Sequence, residues 1–286
     1  MTTGWTEDEL RARIETAPAV SGGPPGTRHE AGSPNAAEVA VYDGLVPASA
    51  RGCAVVLGMT PELRALALRR FERVVSIDHS PAAIRVYRHW VADPEGRETV
   101  VEAGWTSLGD VAGRVDAVLG DGVIGNVASL GDAGLLLAAA ADALVPRGVF
   151  VTRHAMIPDG LRPDDVTHEH LLRAFRAGAI DATEFGFGTR ILGHLTCCYD
   201  PDTALLDNAR LFDEVRDGSE RGGFEGGYTD VELAAIERYR YAGRTLLLPE
   251  RRWAEAVGRA GFTMTRTRLR GRHWYAYYPL YALRRR

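Results

Sequence analysis

Two positions in this sequence are spaced for a particular kind of recognition. CAVVL (53–57) is a short apolar run that suits a buried parallel strand, and it ends at Gly58. Asp78 closes the next such run, VVSID, 20 residues after that glycine. In nucleotide-binding α/β folds this spacing puts a carboxylate where it accepts hydrogen bonds from both hydroxyls of a ribose. The turn after Gly58 reads G-M-T-P-E-L, with one glycine and with Glu62 in the first helical turn. A dinucleotide fingerprint needs G-x-G-x-x-G, whose glycines admit a pyrophosphate to the helix N-terminus, and an acid there repels phosphate.

A nucleoside that carries no phosphate suits such a turn better. S-adenosylmethionine is one: it bears a sulfonium, an ammonium and a carboxylate, and it is the expected cofactor. Gly58, Met59, Thr60, Asp78 and His79 are its first candidate contacts, joined by Trp105, Asp121 and Gly122. Asp121 lies in GDGVIGN, after the apolar run VDAVLG, and is the first candidate for a proton acceptor. Arg153 and His154 end GVFVTRH, on the edge where substrates enter an open α/β sheet, and His154 is the second candidate base. Asn126, Arg153, Tyr275 and Tyr277 are candidate substrate contacts, and a tyrosine of the 275–281 segment is a further candidate base. No metal site is expected: His168 and His170 lack the i, i+4 spacing of a helical pair, and there is no C-x-x-C.

The elements that must hold these residues alternate. Strands are expected at CAVVL, VVSID, TVVEAGW, VDAVLGDG and GVFVTRH, with helices at PELRALALRRF, SPAAIRVYRHWV and near 130–144. Thr60 and Ser80 are the expected caps of the first two helices, each followed by proline. This order implies a parallel sheet covered on both faces. Ahead of it, a helix over 6–16, a proline- and glycine-rich stretch over 18–34 and a helix from Ala36 to Leu45 are expected. The alternation breaks over 158–248, where HEHLLRAFRAGAI, TALLDNARLFDEV and TDVELAAIERYR read as helices and DGSERGGFEGGY as a loop. It resumes with the helix ERRWAEAVGRA, followed by GFTMTRTRL and HWYAYYPLYAL as an antiparallel hairpin. The expected organisation is N-terminal helices and a lid over 1–50, a cofactor-binding core over 51–157 and a helical cap over 158–248. Residues 249–286 then complete the core.

Composition narrows the chemistry. The 286 residues carry 34 basic and 38 acidic side chains, a net charge of −4. Every basic residue is arginine, which excludes lysine-dependent steps such as a Schiff base or a phosphate-loop lysine. A near-neutral balance argues against a dedicated nucleic-acid binder. The three cysteines, Cys53, Cys197 and Cys198, suit a reducing compartment. No signal-like start and no apolar run of membrane-spanning length is found, so a cytoplasmic protein is expected.

At VVLGMTPELR, VVSIDHSPAAI, VDAVLGDGVIGN, LVPRGVF and the closing GF…YYPLYALRR, the chain resembles the class I S-adenosylmethionine-dependent methyltransferases over about residues 36–284. It is most similar to a bacterial subgroup whose first loop reads G-x-T-P-E-L, and RYRYAGRTLLLPERRW resembles that subgroup's cap. The resemblance implies a Rossmann-like α/β sheet of seven strands, six parallel and the last antiparallel, with a helical cap inserted. It implies that Gly58 lines the methionine end, Asp78 binds the ribose, and Asp121 and Gly122 flank the methionine moiety. It departs at Gly104, where the family often has an acid for the adenine amine, so adenine recognition falls to Trp105 and backbone groups. The implied activity is methyl transfer to a small molecule. Two alternatives stay open. One is intramolecular cyclisation of the cofactor to methylthioadenosine and azetidine-2-carboxylate; the other is a non-catalytic nucleotide-binding module. Expected partners are the small-molecule substrate and, as a candidate only, a second copy of the chain.

Overall fold

The computed structural model describes residues 10, 31–220, 227–267 and 269–286. Apart from Leu10, the expected helix over 6–16 lies outside the described residues, as do most of 18–34 and residues 221–226 of the glycine-rich stretch. The first complete helix, α1 (Ala36–Leu45), opens with a reciprocal cap in which Asn35 accepts from the Glu38 amide and Glu38 accepts from the Asn35 amide.

Seven strands then form one sheet: β1 (Cys53–Leu57), β2 (Arg73–Asp78), β3 (Glu98–Glu102), β4 (Val115–Asp121), β5 (Leu144–Arg153), β11 (Phe262–Thr267) and β12 (Leu280–Arg285). Their order is β11-β12-β5-β4-β1-β2-β3. β12 runs antiparallel to both its neighbours, β5 and β11, while the pairs from β5 to β3 are parallel. Six parallel strands with the last reversed make this the Rossmann-like methyltransferase fold.

Strand periodicity explains the two layers on this sheet. Cys53, Val55 and Leu57 of β1 face the core formed with α5 (Leu130–Ala143) and α11 (Glu250–Arg259), where Leu136, Leu137 and Trp253 are buried. Ala54 and Val56 face the other way, against Tyr42 of α1 and Leu63 and Leu66 of α2 (Pro61–Arg70). The chain order reverses between β1 and β4, and such a switch point leaves a crevice beyond the strand ends.

A third cluster of buried residues draws mostly on the segment between β5 and α11, with Ala31, Trp274 and Tyr278 joining from outside it. It contains α6 (His168–Arg176), α7 (Ala182–Ile191), α9 (Asn208–Glu220) and α10 (Asp230–Glu237). α7 and α10 lie so close that a Cβ on Gly186 would overlap the Ala235 carbonyl oxygen. Three readings of the sequence are corrected. Leu205–Asp207, expected to begin a helix, is strand β8 of a small antiparallel sheet with Tyr199–Asp200 (β7) and Arg244–Leu246 (β9), because its apolar side chains pack across the cap. Residues 217–220, expected in a loop, continue α9. The expected final strand begins only at Leu280, since His273–Ala276 turns as a 3₁₀ helix. Among the described residues no helix is long and apolar enough to cross a membrane.

Candidate functional site

β1 delivers its chain end to the crevice at Gly58, whose φ of +84° is one that side chains with a Cβ rarely adopt. Its amide donates to the Ile77 carbonyl at 2.8 Å, which keeps the turn against the end of β2. A Cβ on Gly58 would stand 3.8 Å from Asp78 Oδ2 and 4.0 Å from the Trp105 ring, in the space between them. Thr60, expected as a cap, makes no side-chain cap bond and instead lines the cavity beside Met59; Pro61 supplies the helix start.

Asp78 is the last residue of β2 and is 8% exposed. It accepts from the Ser80 amide at 2.8 Å, and Ser80 caps the next helix, α3 (Pro81–Tyr87), by accepting from Ala83. Burial pushes the Asp78 carboxyl above its ordinary range, against the amides of Ser80, Met59 and His79 and the His79 ring, which favour the charged form. Its Oδ2 faces the gap at Gly58. Trp105 donates its indole N–H to the Ile77 carbonyl at 2.9 Å, which fixes the ring at the cavity edge, with the His79 ring edge-on at 5.7 Å.

At the end of β4, Gly122 takes φ +69° and Asn126 Nδ2 donates to its carbonyl at 2.9 Å. Asp121 beside it is not a free carboxylate. Arg153, fully buried at the end of β5, donates through Nε and Nη2 to both of its oxygens and meets Glu38 of α1 at 2.6 Å through Nη1. Burial opposes the Arg153 charge, but Asp121, Tyr278 and Glu38 outweigh it and hold the guanidinium above its usual pKa. The Tyr278 ring lies under this guanidinium at 4.6 Å, and its hydroxyl would be 3.5 Å from a Cβ on Gly122.

These residues line one cavity, which leaves about 230 Å³ to water centres. Gly58, Met59, Thr60, Asp78, His79, Trp105, Asp121, Gly122 and Asn126 all reach it. Arg153 does not line it; it acts from behind Asp121. His154, the second expected base, does not line the cavity. Its ring packs edge-on against Trp253 at 4.6 Å and stacks on Tyr281 at 5.3 Å, neither nitrogen has a hydrogen-bond partner among the described residues, and burial lowers its pKa to about 3. Tyr275 packs on Trp274 at 4.2 Å and Tyr277 stacks on Phe187 at 5.9 Å, and neither lines the cavity. The expected strand alternation fails for them because the 3₁₀ turn brings Tyr278 to the cavity instead.

Further wall comes from the N-terminal residues Leu10, Ala31 and Gly32, from α3 and from the cap. The cap supplies Phe187, Arg190 and Ile191 of α7, with Arg238, Tyr239 and Tyr241 after α10. None of these six is among the residues expected from the sequence, where the available signal is arginines set among aromatics in RYRYAGR. Among the described residues no three His, Cys, Asp or Glu side chains are grouped to hold a metal.

No protein-family model matches the chain, and no curated protein matches it. Among solved structures it is similar to a protein from Rhodobacter sphaeroides named for zinc-dependent alcohol dehydrogenases, at 18% identity and TM-score 0.58, over 90% of this chain and 92% of that one. A Bordetella parapertussis protein described as exported matches at 18% identity and TM-score 0.51, over 99% and 80%. DesVI of Streptomyces venezuelae matches at 13% identity and TM-score 0.50, over 87% and 91%. At such identities these likenesses speak for the fold alone.

Proposed function

We propose that this chain is an S-adenosylmethionine-dependent methyltransferase acting on a small molecule. The observation that carries the reading is the grouping of Asp78, the open turn at Gly58 and the Trp105 ring in one cavity at the switch point of the sheet. The residues fit a nucleoside without phosphates. A buried carboxylate faces the gap at Gly58 and accepts from ribose hydroxyls, an aromatic ring borders the gap, and Glu62 at the start of α2 disfavours a phosphate.

When bound, S-adenosylmethionine supplies a methyl group already activated by a sulfonium, so the protein's work is alignment and exclusion of water. Asp78 holds the ribose. Gly58 and Gly122 keep the backbone close at the ends of β1 and β4. Phe187, Ile191 and Tyr239 close an apolar wall opposite. Asp121, already paired with Arg153, acts as a positioning residue rather than a base. Tyr278 is buried and its pKa is pushed up, so its hydroxyl stays protonated and orients a nucleophile by hydrogen bonding.

The test is incubation with S-adenosylmethionine alone and with candidate acceptors, followed by mass spectrometry of the adenosyl products. Acceptor-dependent S-adenosylhomocysteine supports the proposal. Acceptor-free methylthioadenosine above the spontaneous background assigns cyclisation instead. Stabilisation by NAD but not by S-adenosylmethionine overturns the cofactor assignment.

A further inference from the structure

Among the described residues the two buried arginines are each paired with a carboxylate, whereas half-buried Arg190 is not. Arg64 meets Glu98 at 2.6 Å and Arg153 meets Glu38 at 2.6 Å, and the more exposed Arg176 and Arg266 likewise meet Glu232 at 2.7 Å and Glu250 at 2.6 Å. Arg190 lines the cavity from the last turn of α7 and has no carboxylate partner among the described residues. Its Nε is shut off from solvent and donates to nothing there. Its guanidinium lies over the Tyr241 ring at 5.1 Å, with Tyr239 and Tyr278 as further aromatic neighbours. Arg238 adds a second cationic side chain to the same wall.

Charges around the cavity are therefore unbalanced from end to end. Among the described residues the two acids that line it are Asp78, at the Trp105 end, and Asp121, already paired with Arg153. The described residues of the cap end carry two guanidinium groups and aromatic rings but no acid. An unpaired guanidinium loses hydration as the cavity fills, and a ligand oxyanion is what compensates it. The planar fork of arginine matches a carboxylate with two parallel hydrogen bonds.

We propose that the acceptor is a carboxylate-bearing small molecule, held by Arg190 with Arg238 beside it, its apolar body lying against Phe187, Tyr239 and Tyr241. This inference rests on the methyltransferase reading, since it names the substrate class of that site. On the methyltransferase reading Gly58 and Gly122 would hold the cofactor's amino-acid end, which would leave the cap arginines for the other reactant.

The experiment is calorimetric titration of the full chain and its Arg190→Met variant, with Arg190→Gln in reserve should the first not fold. The probes are S-adenosylhomocysteine, and sodium benzoate against its neutral counterpart benzamide, each of the latter with and without the nucleotide. The wild type is expected to prefer benzoate by about tenfold, the scale of one charged hydrogen bond, and the variant to lose that preference while keeping its nucleotide affinity. A preference that survives in the variant, or one absent from the wild type, overturns the inference. So does a loss confined to S-adenosylhomocysteine, which would assign Arg190 to the cofactor's carboxylate. If the nucleotide does not bind the wild type, the cofactor reading fails by itself, and the benzoate arm without nucleotide still decides the anion site.

Discussion

Arg153 donates to both carboxylate oxygens of Asp121, at 2.7 and 3.0 Å, from a position with no solvent exposure. The same guanidinium reaches Glu38, so one cation joins the N-terminal helix to the cavity floor. Replacing Arg153 with Met leaves two buried carboxylates near each other without compensation. The expected loss is about 3–5 kcal/mol of stability in urea denaturation. Glu38→Gln should cost less, because Arg153 keeps Asp121.

Asp78→Ala removes the buried carboxylate at the Gly58 gap while leaving the sheet intact. Affinity for S-adenosylhomocysteine is expected to fall about tenfold or more, as befits lost charged hydrogen bonds. Calorimetric titration checks it, and unchanged affinity removes the ribose assignment.

Gly186 and Gly134 make a contrasting pair. A Cβ on Gly186 would overlap the Ala235 carbonyl oxygen, whereas one on Gly134 of α5 meets nothing within 4 Å. Gly186→Ala is expected to destabilise by about 1–3 kcal/mol or more through overpacking. Gly134→Ala should stabilise by about 0.5–1 kcal/mol, since alanine favours the helix. Paired unfolding curves read both signs.

His154 makes stability depend on pH. Its folded pKa of about 3 lies below the unfolded value, so the unfolded chain takes up a proton first as pH falls. The stability of the neutral, buried ring is thus full above about pH 6.5 and erodes below it, at about 1.4 kcal/mol per pH unit. His168, also lowered to about 3, acts in the same direction. His154→Phe keeps a ring between Trp253 and Tyr281 and should lose about 2 kcal/mol less than wild type between pH 7 and pH 5. Equal losses would show that this ring does not drive the acid sensitivity.

What could be read in the sequence was local. CAVVL, Gly58 and Asp78 declare their places in the fold through apolar runs and a turn glycine, and Ser80 caps its helix as its type suggests. What could not be read depends on distant partners. The pairing of Arg153 with Glu38 and Asp121 joins three elements, and His154 is held out of the cavity by the rings of Trp253 and Tyr281 from distant segments. Tyr278 rather than Tyr277 reaches the cavity through a 3₁₀ turn hidden among aromatics that read equally well as strand. The cap was least legible: LLD forms a strand only because β7 and β9 flank it.

Most buried apolar residues of the cap form a cluster distinct from the two that cover the sheet, joined to the rest through Trp274 and Tyr278, and the cavity lies along the seam. In the free chain the cap is then expected to open at less than the cost of global unfolding. A ligand that touches both Asp78 and the α7 wall adds its binding energy to keeping the seam shut. Amide hydrogens of α7 and α10 should therefore exchange at a rate that reports how much of the cavity is filled, even for compounds that never react.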